Sequence, residues 1–102
     1  MQRLVILGGG ESGVGSAILG KKQGYDVFLS DAGSLKDNYK KELTDAGIAF
    51  EEGAHSEDKI LNANEVMKSP GIPEKNEMVK MIRKKGIPVI MQLFGYKKEE
   101  NV

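Results

Sequence analysis

The sequence has no cysteine and no tryptophan, a single histidine, only three prolines and no excess of either charge. Each shortage excludes something. Without cysteine there is no disulfide and no thiolate metal site, and a reducing compartment is allowed. Lys plus Arg equals Asp plus Glu, at 15 each, so no global field draws the chain to nucleic acid or to an anionic membrane. Any anion must be recognised locally. The N-terminal "MQRLVILGGG" holds only four apolar residues in a row. That is too few for a secretory core or a membrane span, and it reads as the first strand of a cytoplasmic protein. His55 has no ligand-spaced partner and reads as a surface-loop residue. No metal cluster, nucleophile–base pair or complete ATP site is present in the sequence, and no catalytic residue is assigned.

What the chain has in quantity is glycine, 13 in 102 residues. At this length one domain is expected, burying roughly 60–70% of its unfolded surface. Three stretches share one grammar: a polar helical segment, a glycine, then a short apolar run. They are "KKQGYDVFLS", "TDAGIAFEE" and "RKKGIPVIM". Gly24, Gly47 and Gly86 suit the left-handed position just past a helix, and the runs after them are β-rich. Strands are predicted at Arg3–Leu7, Asp26–Ser30, Ile48–Glu51, Glu65–Lys68 and Val89–Met91. Helices are predicted at Ser12–Gln23, Asn38–Ala46, Ser56–Leu61 and Pro73–Lys85, with Pro73 in the last helix's first turn.

This alternation implies an α/β, Rossmann-like fold of three layers. Its five-stranded parallel sheet has the order 3-2-1-4-5, with helices on both faces. Residues 1–92 form the domain, and the charged segment 93–102 is expected to fray. Met residues at helix and strand positions read as core filler, and Glu51–Glu52 as solvated.

Ligands of such sheets bind where the strand order reverses, at the carboxyl ends of the strands. That places the loop after strand one, "GGGESG", beside the loop after strand four, "SPGIP". Gly8, Gly10 and Gly13 fit G-x-G-x-x-G, which lets a phosphate approach the backbone at a helix N-terminus. Ser12 adds a hydroxyl there, as cap or phosphate donor. The same glycines also suit a bare strand-to-helix turn. Asp31 ends strand two, where a carboxylate can hold ribose hydroxyls, accept the N3–H of a uracil, or simply cap a turn. In Ser69–Pro73 two prolines bracket a glycine, giving a preset loop suited to a ligand or to a rigid connection. "GSAILGK" (Gly15–Lys21) formally matches the start of a P-loop, but it falls inside the first predicted helix and is followed by Lys22.

Together, "LVILGGGESGVGSAILGKKQGYDVFLSD" and "GAHSEDKILNANEVMKSPGIP" resemble the N-terminal domain of the Mur ligases, over about residues 2–90. The resemblance is strongest to the branch that adds D-glutamate to UDP-N-acetylmuramoyl-L-alanine in peptidoglycan synthesis. It implies that this domain binds the UDP end of that substrate. The diphosphate would lie against Gly10, Glu11, Ser12 and Gly13, the uracil near Asp31 and Ala32, and the nucleotide's other side against Ser69, Pro70 and Gly71. Where the family often carries a hydroxyl or larger polar group after the acid, this chain has Ala32 and Gly33, which shifts uracil recognition onto Asp31 and backbone. The family continues its fifth strand with a segment like Ser-Glu-Ile-Glu-Phe, whereas this chain reads "MQLFGYKKEENV". The resemblance implies no cofactor for this domain. ATP and magnesium belong to the central and C-terminal domains of the whole ligase, without which this chain is not expected to turn over. The alternative reading is an NAD(P)-type dinucleotide-binding domain.

Overall fold

The computed structural model describes residues 1–91; the segment expected to fray lies outside them. The strands are β1 (Arg3–Leu7), β2 (Asp26–Asp31), β3 (Ala49–Glu52), β4 (Glu65–Lys68) and β5 (Val89–Ile90), and the helices are α1 (Glu11–Lys22), α2 (Asp37–Asp45), α3 (Glu57–Ile60) and α4 (Glu77–Lys84). All strand pairs are parallel, and the order is β3-β2-β1-β4-β5. The predicted topology is therefore the observed one.

Strand β1 is the centre of the molecule. Leu4 and Ile6 face one side of the sheet, with Val14, Ala17 and Leu43 of α1 and α2. Val5 and Leu7 face the other, with Ile60, Met78, Val79 and Ile82 of α3 and α4. All four β1 side chains are at most 1% exposed. A strand covered on both faces has no polar side, which is why "LVIL" is an unbroken apolar run. Gly24, Gly47 and Gly86 have φ of 95°, 74° and 82°, so each ends its helix as the sequence predicted.

The helix starts differ from expectation. Helix α1 opens at Glu11 with Gly10 as its cap residue and no side-chain cap bond, so Ser12 sits inside the first turn and does not cap it. Helix α4 opens at Glu77, four residues later than predicted. The Asn76 carboxamide oxygen accepts the N–H groups of Met78 and Val79, and that cap sets the start. Pro73 instead accepts from Asn76 N–H in a turn ahead of the helix. Among the methionines, Met67 and Met78 are core residues, but Met1 is 95% and Met91 46% exposed; those two fill no core.

Candidate functional site

At the carboxyl end of the sheet, a cleft of about 330 Å³ is lined by Gly8, Gly9, Gly10, Asp31, Ala32, His55, Ser69, Gly71, Ile72, Pro73 and Asn76. It spans the β1/β4 reversal, as the topology requires. A second hollow, of about 320 Å³, lies at the other end of the sheet against Gln2, Gln23, Gly24 and Tyr25. It adjoins the C-terminus of α1, whose dipole disfavours an anion.

The glycine loop is built by close approach. A Cβ on Gly13 would collide with the Gly8 carbonyl oxygen, and one on Gly9 with Leu35. These two glycines let the loop fold tightly over the sheet. Gly10 is different: a Cβ there meets nothing within 4 Å and would project into open space. The first turn of α1 begins with Val14 N–H donating to Gly10 O at 2.9 Å. The N–H groups of Gly10, Glu11, Ser12 and Gly13 have no acceptor among the described residues, so four donors gather at the positive end of the helix dipole.

Asp31 holds this loop in place. Its Oδ2 accepts Gly9 N–H at 2.7 Å and its Oδ1 accepts Gly33 N–H at 2.8 Å. The turn-capping role considered for it is real, and both oxygens keep a further lone pair for a ligand. Across the cleft, Ser69 N–H extends the sheet by bonding Leu7 O at 3.0 Å, and Ser69 O accepts Ile72 N–H at 3.0 Å to close a turn.

Of the residues singled out in the sequence, Gly10, Asp31, Ala32, Ser69 and Gly71 line the cleft together. Glu11 and Ser12 are exposed in the first turn of α1, Pro70 is exposed and Gly13 is buried; none of these four lines the cleft. The segment "GSAILGK" lies within α1, in a conformation that cannot wrap a phosphate.

A sequence profile for the MurD N-terminal domain matches residues 3–78. The chain belongs to that family. It is 55% identical, over 94% of its length, to a UDP-N-acetylmuramoylalanine--D-glutamate ligase from Cytophaga hutchinsonii, and covers 22% of that protein. It is 50% identical, over 91% of its length, to the ligase of the same name from Bacteroides fragilis, and covers 21% of it. The chain thus spans about a fifth of these relatives. Its fold matches the UDP-N-acetylmuramate-alanine ligase MurC of Thermotoga maritima with a TM-score of 0.79 and 20% identity, over 99% of this chain and 23% of that one.

In this MurD N-terminal domain four polar residues, Ser30, Glu51, His55 and Lys68, have a role that the sequence does not show. Register aligns Glu51, Ser30, Leu7 and Lys68 as one row near the carboxyl end of the sheet. Ser30 is fully buried, with its Oγ 2.8 Å from Glu51 Oε2, 2.7 Å from His55 Nδ1 and 3.3 Å from Ala54 O. Glu51 is therefore not a solvated residue. It also accepts Ser56 N–H at 2.8 Å and the Ser56 hydroxyl at 2.5 Å. Burial alone would raise its pKa, but the bonds from Ser56 and Ser30 outweigh that and hold it below the ordinary glutamate value. Glu52 stays exposed, as read from the sequence, while accepting Leu35 N–H and the Lys40 ammonium. His55 is a half-buried member of the cleft wall, not a plain surface-loop residue. Lys68 is 4% exposed; its ammonium donates to Ile72 O at 2.6 Å and Ser69 O at 3.4 Å and pairs with Glu74 at 3.7 Å. Alternation within β2 and β3 does not fix which of their residues share a face; the register that pairs Ser30 with Glu51 does.

Proposed function

We propose that the cleft holds the UDP end of UDP-N-acetylmuramoyl-L-alanine, and that this chain is the substrate-docking domain of a ligase that adds D-glutamate to it. The observation that carries this reading is the run of four unpartnered N–H groups, Gly10 to Gly13, at the start of α1. A diphosphate offers the matching acceptors and charge. The Ser69–Pro73 loop on the opposite wall, with its backbone held by Lys68, encloses the ligand from the other side. Asp31 and Ala32 lie at the β2 end, where the nucleoside would rest. The names of the relatives from C. hutchinsonii and B. fragilis supply the substrate and the amino acid.

Joining a carboxylate to an amine in water requires the carboxylate to be activated. In this reading ATP, with magnesium, would supply that activation on central and C-terminal domains, and the work is cytoplasmic. The residues described here bind and orient; none is assigned a bond-breaking step.

The test is an amide NMR titration of the chain with UDP-N-acetylmuramoyl-L-alanine, with NAD in a parallel sample. Shifts at Gly8 to Gly13, Asp31 and Ser69 to Gly71 with the UDP compound alone are expected. The same shifts with NAD alone would replace this reading by that of a dinucleotide-binding domain.

A further inference from the structure

His55 has two ring nitrogens in different situations. Nδ1 lies 2.7 Å from the buried Ser30 hydroxyl. That hydroxyl has one proton, and its other neighbours are the Glu51 carboxylate and the Ala54 carbonyl, which only accept. The bond to Glu51, at 2.8 Å to an ionised group, claims the proton. Ser30 Oγ must then accept from His55, so Nδ1 carries the ring proton and a neutral ring leaves Nε2 as an acceptor. Nε2 has no partner among the described residues. The only buried side-chain polar atom without a partner there is Ser16 Oγ, so Nε2 is accessible, and the space His55 borders is the cleft.

We infer that His55 Nε2 accepts a hydrogen bond from the nucleoside end of the bound ligand, with Ser30 and Glu51 as positioning residues that fix its tautomer. An acceptor is mismatched to a diphosphate, whose oxygens also accept. It matches a neutral donor, namely the imide N3–H of uracil or a ribose hydroxyl. Asp31, on the same wall, already spends one lone pair of each oxygen on loop N–H groups, so a second acceptor there has work to do. The inference rests on the UDP reading above.

The test uses UDP as probe and follows the His55 ring nitrogens by long-range 15N–1H NMR. With the ring neutral, the proton should sit on Nδ1 in the free chain, and UDP should move the Nε2 resonance more than Nδ1. In His55→Asn the side-chain amide nitrogen reaches the Nδ1 position and keeps the donor to Ser30, while nothing occupies the Nε2 position. Its spectrum should remain that of the folded chain, with UDP bound about three- to tenfold more weakly, as for one lost hydrogen bond. His55→Gln, whose amide oxygen reaches the Nε2 position, should recover part of that loss. N3-methyl-UDP and 2′-deoxy-UDP identify the donor, because the His55→Asn penalty should vanish for whichever analogue lacks it. UDP shifts at Gly9 to Gly13 with a silent Nε2 and unchanged His55→Asn affinity would overturn the inference and leave the UDP reading standing. A doubly protonated ring in the complex would also overturn it. Silence at the glycine loop and at His55 alike would overturn both.

Discussion

The Lys68 ammonium lies 2.6 Å from the Ile72 carbonyl oxygen, linking the last residue of β4 to the far end of the Ser69–Pro73 loop. Lysine is seldom this buried without partners. Here Ser69 O and Glu74 complete its shell, and Glu74 is in turn gripped by Arg83 at 2.7 and 3.0 Å. Lys68→Met keeps the stem and removes the donors. It should cost about 1–2 kcal/mol in urea unfolding, from unpaired loop carbonyls, and should weaken UDP binding by loosening the loop. An unchanged midpoint together with unchanged UDP affinity would show that the loop holds its shape without this latch.

Gly10 is where the proposed binding can be tested apart from folding. Its φ of −79° and ψ of −172° suit any residue, and the space around its missing side chain is open. Gly10→Phe should therefore leave the fold intact, at a cost within about 1 kcal/mol for the altered cap. The ring would occupy the cleft, so UDP affinity should fall at least tenfold in calorimetry. Full affinity in the folded variant would move the diphosphate away from this loop.

Gly13 should behave in the opposite way. Gly13→Ala drives a methyl into the Gly8 carbonyl, backbone that can yield only by shifting the loop. A loss of about 1–3 kcal/mol in thermal or urea unfolding is expected. Gly10→Ala is the matched control, and equal stability for the two variants would contradict the packing described.

Glu51 makes stability depend on acid. Its folded pKa lies below its unfolded value, because the Ser56 and Ser30 bonds overcome the opposing effect of burial. A depressed carboxylate contributes fully above the unfolded pKa, about 4.3, and the contribution is lost as pH falls through the folded value. Glu51→Gln should thus be less stable than wild type at neutral pH, and the gap should narrow below about pH 4. A gap that does not change with pH would assign the loss to shape and not to charge. Glu52 and Glu74, also depressed, cancel in the difference.

The strand order was legible because each signal is local and repeats. Val-, Ile- and Phe-rich runs follow glycines that must leave the right-handed region, and the alternation then allows few topologies. The start of α4 was misread because Pro73 is a common first-turn residue, while Asn76, three positions on, is the stronger cap. The glycine loop, Asp31 and Ser69–Gly71 could be paired in advance, since the reversal point brings those loops together whatever their side chains do. Glu51, His55 and Lys68 could not. A charged or polar residue at a strand end reads as solvated unless its cross-strand neighbour is known.

From its order of residues alone, then, this chain determined a parallel sheet, its reversal point and the two loops that meet there. Periodicity, glycine position and chain connectivity are properties of neighbours in sequence. Tertiary structure alone decided that Glu51 and His55 meet over Ser30, and that Lys68 reaches back to Ile72. Which tautomer the imidazole holds, and whether an ammonium is buried or wet, depend on acceptors contributed by strands and loops about 20 residues apart in sequence, or by a turn that closes only once the sheet has formed. Those bonds are worth making only where the assembled sheet excludes water.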